Sequence, residues 1–507
     1  MAEHAAATVF LVAGLGLGLS VLIDGLVQPR ASLLRRWGCW ALHAGLWLVV
    51  YGVLVFLLGR PWFAAAGVSA FLLLLVLINN AKMRSLREPF IFQDYEYFTD
   101  TITHPRLYIP FLGWGKAVAA ASGFALTVSV GLWMEDVPAN RFVVSGQLGG
   151  VVAVMVVGSL LLVVGNRSRL RVSLDAVRDV QTLGLLASLW CYALAKRVRA
   201  NLDSPFDHLS LPESAIERPH LIAVQSESFF DPRPLFAGIR RDVLAEFDRL
   251  KLTAVAHGRL TVPAWGANTV RTEFAFLSGL TEAALGALRF NPYRTEACWT
   301  VPTVAGFLNR LGYRTICIHP YSASFYQRDR LYPLLGFDEF IDIRGFTDAQ
   351  RCGPYIGDAA VAAMISDLLE QAHEPVFIFA ITMENHGPLH LERTSAADVA
   401  EFYTEPPPQG CEDLTVYLRH LRNADRMIAI LRKKLEDSPH AAWLSWFGDH
   451  VPIMSGVYDV QCTRVSPGRK TSGGSSTRDQ LAVRHEAGYP WFRPSWPRRS
   501  GQSEHSH

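Results

Sequence analysis

The chain has 507 residues, half of them hydrophobic, and a mean hydropathy of +0.17. Its formal net charge is only +2 and it carries no lysine-rich arm, which argues against a nucleic-acid partner. The apolar residues crowd the first third, so the length divides into one membrane domain and one globular domain.

Five runs are long enough to cross a bilayer, which takes about 20 apolar residues each. They fall near 7–27, 38–59, 61–79, 113–134 and 147–165. The first lacks a basic n-region and an Ala-x-Ala cleavage pattern, and reads as a retained span. Only Gly59-Arg60-Pro61 separates the second from the third, which implies a tight helical hairpin. With five spans, a globular domain on the outer side would put two basic loops outside with it. These loops carry Arg30, Arg35 and Arg36, then Lys82, Arg84, Arg87 and Arg106, contrary to the positive-inside rule. Leu183–Ala195 is apolar but short, bounded by Arg178 and Lys196; it reads as an interfacial helix, with a sixth span as the alternative.

From about Pro219 short apolar runs alternate with amphipathic stretches. Leu221–Val224, Thr315–His319, Val376–Thr382 and Trp443–Phe447 read as buried strands, and Thr415–Leu435 as a helix. That alternation predicts an α/β domain with a mainly parallel sheet, whose ligands gather beyond the carboxyl ends of the strands. The expected division is 1–168 transmembrane helices, 169–215 linker with an interfacial helix, 216–458 catalytic domain and 459–507 tail. The tail is rich in Ser, Arg, Gly and Pro and is expected to be disordered. Seven cysteines contain no CxxC pair, which argues against a zinc ribbon or a thioredoxin-type site. A disulfide among Cys298, Cys317, Cys352 and Cys411 stays open, because sequence cannot pair them.

The chemistry-bearing residues sit at predicted strand ends. Glu227, in Gln225-Ser226-Glu227-Ser228-Phe229, is a hard carboxylate ligand for a divalent cation. Asp449 and His450, after Trp446-Phe447-Gly448, offer one oxygen and one nitrogen at the same place. Alone, each is more often an ordinary loop residue; together they suggest a metal centre. Thr269 opens a likely helix after Gly266-Ala267-Asn268. Its bland role is an N-cap. In the functional reading, helix amides and a neighbouring cation lower the hydroxyl pKa, and the alkoxide attacks phosphorus to give a phospho-threonine. Two more clusters suit phosphate or headgroup contacts: His319 with Phe325-Tyr326-Gln327-Arg328, and Glu384-Asn385-His386-Gly387-Pro388.

Taken together, Glu-Ser-Phe, Thr with Glu-Phe four residues on, Phe-Tyr-Gln-Arg, Asn-His-Gly-Pro and Gly-Asp-His resemble the lipoteichoic acid synthase and phosphoglycerol transferase family. So does Arg87-Glu88-Pro89 with Phe92-Gln93-Asp94 after the third span. The family implies an alkaline phosphatase/sulfatase fold and one divalent cation, typically Mn2+, with Mg2+ or Zn2+ as alternatives. It implies Glu227, Thr269, Asp449 and His450 around that cation, with Thr269 as nucleophile. His319, Tyr326, Arg328 and His386 would contact the substrate, Tyr326 standing where the family often has tryptophan. The implied reaction moves glycerol phosphate from a membrane phospholipid to an envelope glycan or glycolipid, outside the cytoplasmic membrane. Phosphoethanolamine transfer, a sulfatase-like hydrolase and an inactive homologue are the alternatives. A sulfatase nucleophile would need a Cys or Ser in a C/S-x-P-x-R setting, and Thr269 lies there instead. Family members continue with structured segments after Gly-Asp-His, whereas here low complexity is expected within about a dozen residues.

Overall fold

A computed structural model describes residues 2–97, 103, 114–135, 141–198, 200–209, 218–464 and 479–487. The membrane domain comprises α1 (Ala2–Asp24), α2 (Trp37–Leu58), α3 (Pro61–Leu86), α4 (Trp114–Met134) and α5 (Arg141–Arg167). Four described helices are long and apolar enough to cross a membrane, the last over Val144–Arg167. α4, the fourth predicted span, runs for 21 residues, of which Ser122–Met134 is the described apolar part. Leu22, Phe56, Leu57, Phe124 and Leu160 stand exposed on these helices, an outer surface suited to lipid rather than water.

Helices pack in lipid by close approach of small residues. Gly38, Gly45 and Gly52 recur every seven residues on α2 and face Ser168 just past α5, then Gly158 with Leu162, and Met155 on α5. A Cβ at Gly45 would lie 2.9 Å from the Gly158 carbonyl oxygen. Gly59 closes α2 in the left-handed region at φ 67°, and Pro61 starts α3 at once, giving the expected hairpin.

α6 (Ala176–Leu183) and α7 (Leu185–Ala195) follow, the latter too short at 11 residues to span. Glu135, after α4, accepts the Trp62 and Phe63 amides at the hairpin end of the bundle. The 25–36 and 87–97 segments meet at the opposite end, where Asn79 donates to the Gln28 carbonyl and accepts the Phe90 amide. The globular domain packs on that second end.

Its strands are β1 (His220–Ser226), β2 (Ala256–Thr261), β3 (Arg314–Ile318), β4 (Glu339–Ile341), β5 (Val376–Ile381), β6 (Ala442–Gly448) and β7 (Asp479–Ala487). They form one sheet in the order β2-β7-β6-β1-β5-β3-β4. β6, β1, β5, β3 and β4 are parallel, and β7 pairs antiparallel with both β6 and β2. The central strands are apolar runs buried on both faces, as parallel sheets require. α8 (Ala245–Thr253), α10 (Asp358–Glu370) and α11 (Glu412–Glu436) pack with one face of the sheet, and α9 (Thr269–Ser278) with the other.

The C-terminal segment departs from its expected disorder in two places. The helix Ser455–Arg464 runs on into it from the end of the expected catalytic domain, where Val457 and Tyr458 are buried, and Asp479–Ala487 supplies β7 inside the sheet. The remainder of the tail lies outside the described residues. Cys298, Cys317 and Cys352 are free thiols.

Candidate active site

β1, β6, β3 and β5 all end at one edge, and each delivers a predicted residue there. Register pairs Ser226 with Gly448, so Glu227 and Asp449 leave adjacent strands side by side. Glu227, Asp449 and His450 each place one ligand atom within 4.8 Å of the others, all three buried. His450 Nε2 lies 3.5 Å from Glu227 Oε1 and 3.4 Å from Asp449 Oδ2. That exceeds a good hydrogen bond. It matches the spacing of about 3.4 Å between corners of a tetrahedron whose metal–ligand bonds are about 2.1 Å.

The surroundings orient each group. Asp449 Oδ1 accepts the Ser228 and His450 amides at 2.8 Å. Asp449 Oδ2 is buried with no hydrogen-bond partner among the described residues. His450 Nδ1 faces the Val451 carbonyl at 3.3 Å; a carbonyl only accepts, so the network assigns the proton to Nδ1 and leaves the Nε2 lone pair toward the carboxylates. Ser228 Oγ donates to Glu227 Oε1 at 2.9 Å. Burial, and then the charge of Asp449, push the Glu227 carboxyl up to about 8 despite His450 and Ser228. Two buried carboxylates, one with an orphan oxygen, fit a divalent cation.

Thr269 is the first residue of α9, and the N-cap position belongs to Asn268, at φ 66° with no side-chain cap bond. The capping role expected of Thr269 is therefore not what the structure gives it. One turn on, Thr272 Oγ1 donates to the Asp449 carbonyl at 2.7 Å, and the Gly266 amide donates to the Val451 carbonyl at 2.9 Å. These bonds set the start of α9 beside Gly-Asp-His. Left-handed backbone at non-glycine residues concentrates here: Ser228 follows Glu227, Asn268 precedes Thr269, and Tyr326 and Gln327 precede Arg328. Such strain persists where the surroundings over-determine it, often at functional sites.

The four predicted substrate residues form a connected wall. Arg328 Nη1 donates to His319 Nε2 at 3.2 Å, while His319 Nδ1 donates to the Ile381 carbonyl at 3.2 Å. Burial, and then the Arg328 charge, hold His319 well below the usual histidine range, so it is neutral. The Arg328 guanidinium lies 5.2 Å from the Tyr326 ring, and Tyr326 meets Tyr97 edge to face at 5.9 Å. Tyr321 links Phe325 to Tyr355, whose hydroxyl is 3.3 Å from His386 Nδ1. His386 Nδ1 also donates to the Gly387 carbonyl at 2.6 Å, and burial lowers its pKa.

Two features were not foreseen. Arg328 is only 1% exposed because Glu273, fully buried, takes it at 2.7 Å; Tyr293 and Tyr332 hydroxyls also bond Glu273. Its sequence signal is the Glu-Phe step four residues after Thr269, whose role appears only once Arg328 is brought to it. Asn385, beside His386 in the same turn, is buried with neither amide atom partnered among the described residues.

The family model described as Sulfatase matches residues 219–483. The capsular polysaccharide biosynthesis protein RkpI of Rhizobium meliloti is 28% identical over 432 residues, 79% of this chain and 75% of the relative. The integral membrane lipooligosaccharide phosphoethanolamine transferase A of Neisseria meningitidis matches 93% of this chain and 88% of its own, with TM-score 0.55 and 12% identity, a likeness of fold. The phosphoglycerol transferase GacH of Streptococcus pyogenes, solved with sn-glycerol-1-phosphate, covers 54% of this chain and 69% of its own, with TM-score 0.42 and 22% identity. The sulfatase-type domain on a helical membrane domain, expected from the motifs, is borne out.

Proposed function

Because the chain belongs to the sulfatase family, we propose that it is a metal-dependent phosphotransferase of the cytoplasmic membrane. It moves glycerol phosphate from phosphatidylglycerol to an envelope glycan or glycolipid, with its catalytic domain on the outer side. The observation that carries this reading is the convergence of Glu227, Asp449 and His450 at 3.4–3.5 Å, with a buried unpartnered oxygen, beside the helix that Thr269 opens. The role of the relative RkpI in capsular polysaccharide biosynthesis supports a glycan acceptor.

Glu227, Thr269, Asp449 and His450 would hold one divalent cation, Mn2+ first, with Mg2+ or Zn2+ as alternatives. When bound, it supplies Lewis-acid stabilisation of phosphoryl charge and lowers the pKa of the threonine hydroxyl. The Thr269 hydroxyl attacks the donor phosphorus, forming a phospho-threonine and breaking the ester bond to diacylglycerol. An acceptor hydroxyl then attacks that phosphorus and releases Thr269. His386 is neutral, with Nδ1–H tied to Gly387, which leaves Nε2 to take the acceptor's proton. The resulting imidazolium gives that proton to the departing Thr269 oxygen; in the first displacement the Thr269 hydroxyl proton takes the same route, through His386, to the diacylglycerol oxygen, so each step balances. Arg328, His319 and Tyr326 shape the wall against the headgroup.

The test supplies purified protein with phosphatidylglycerol or phosphatidylethanolamine labelled in the headgroup and follows diacylglycerol release. Release from phosphatidylglycerol alone supports the reading. Release from phosphatidylethanolamine alone replaces the headgroup with phosphoethanolamine, and release from neither overturns the transferase.

A further inference from the structure

The geometry points to a second metal site, outside the one already described, formed by Cys352, Glu384 and His420 and suited to Zn2+. One ligand atom from each lies within 4.8 Å of the others. They come from three separate elements: the Arg351–Ile356 hairpin, the loop after β5, and α11. A thiol, an imidazole and a carboxylate in one triangle are the donor set that zinc takes.

The groups around the triangle are those that orient ligands. His420 Nδ1 faces Glu384 Oε1 at 3.0 Å, while its other nitrogen, Nε2, lies 2.9 Å from Glu392 Oε1. A carboxylate on the far nitrogen of a ligating histidine fixes its tautomer and raises its basicity. Glu384 Oε2 accepts the Asp358 amide at 2.7 Å, which holds the carboxylate in place. Asn423 Nδ2 donates to Cys352 Sγ at 3.4 Å and to Glu384 Oε1 at 2.5 Å, while its Oδ1 is occupied by Arg426 at 3.2 Å. Glycines let the hairpin close on the cluster: a Cβ at Gly357 would sit 3.3 Å from Cys352 Cβ and 3.4 Å from Glu384 Oε2.

Glu384 is 1% exposed against His420, and Glu392 lies between His420 and Arg419. A divalent ion at the triangle takes the place of the proton between His420 Nδ1 and Glu384 Oε1. Such an ion would also act at a distance. It clips the hairpin carrying Tyr355 to the Glu384-Asn385-His386 turn, and Tyr355 touches His386. The second ion is thus structural, fixing part of the headgroup wall.

The test is elemental analysis of full-length protein dialysed against Zn2+, with cobalt substitution as a second readout. Wild type should bind two ions per chain; Cys352→Ser and His420→Ala should bind one. The double variant E227Q/D449N should also bind one, and its cobalt form should keep the thiolate-to-cobalt charge-transfer absorption that Cys352→Ser lacks. Zn2+ should slow alkylation of the half-exposed Cys352 thiol in wild type, a measurement that needs no variant. No charge-transfer band in the wild-type cobalt protein, or unprotected alkylation, would show instead an ion cluster of His420 between Glu384 and Glu392.

Discussion

At the residue scale the proposed mechanism turns on Thr269. The structure gives the N-cap to Asn268, so Thr269→Ala should cost less stability than the roughly 0.5–2 kcal/mol of a lost cap. Diacylglycerol release should nonetheless fall by several orders of magnitude, with Thr269→Ser retaining part of it. Thr272 is no inert neighbour: its hydroxyl holds the Asp449 carbonyl, so Thr272→Ala should weaken metal affinity in a titration while leaving Thr269 in place. Glu273→Gln should destabilise the domain by about 3–5 kcal/mol, because Arg328 would keep a buried charge without its counter-ion. Chemical denaturation of the two proteins checks this. Much of the residue level was legible in the sequence. Glu227, Asp449 and His450 could be found because each follows an apolar strand run. Glu273 and Asn385 were hidden because their meaning depends on which distant side chains they meet.

At the element scale, the strands that deliver the site were legible for the same reason: β1, β3, β5 and β6 are uninterrupted apolar runs. β2, with the sequence Ala-His-Gly-Arg-Leu-Thr, is mostly exposed at the sheet edge and carries no such signal. β7 lies in a polar stretch whose pairing depends on its neighbours. α11 also does more than its amphipathic pattern implies. Its Asp425 accepts the Glu246 and Phe247 amides at 3.0 and 2.8 Å, capping α8 from across the domain. Burial, despite those amides, pushes the Asp425 carboxyl up to about 6. The unfolded carboxyl titrates near about 4, so folding takes up a proton between the two values, and stability falls as pH rises through that window. Asp425→Asn should flatten the slope of Tm between those pH values. In the membrane, Gly45→Val would drive a side chain into Gly158 and Leu162, and should lower the Tm of the detergent-solubilised protein.

At the scale of the whole molecule, the loop charges that conflict with an outer catalytic domain have structural uses. Arg35 pairs with Asp24 at 2.7 Å, and Lys82 with Glu88 and Asp94 at 2.7 Å. Arg87 stacks on Trp265 at 3.8 Å. Glu88 also takes Arg271 at 2.6 and 3.0 Å, joining the turn after α3 to the helix that Thr269 opens. Arg87, and Lys82 through Glu88, serve the junction between the two domains, while Arg35 braces the membrane domain against Asp24, so the number of these cations is a poor guide to the side they face. A reporter fused after Leu211 should be active only outside the cytoplasm; cytoplasmic activity would reverse the topology. Glu88→Ala should leave metal binding intact but reduce transfer from bilayer donors more than from short-chain soluble ones.

The most direct test of the central claim is a single-turnover incubation of metal-loaded protein with phosphatidylglycerol and no acceptor, followed by peptide mapping by mass spectrometry. The account predicts a glycerol phosphate adduct on the peptide containing Thr269, chased off by acceptor and absent from Thr269→Ala. Diacylglycerol release with no adduct there, or undiminished release by Thr269→Ala, would contradict it.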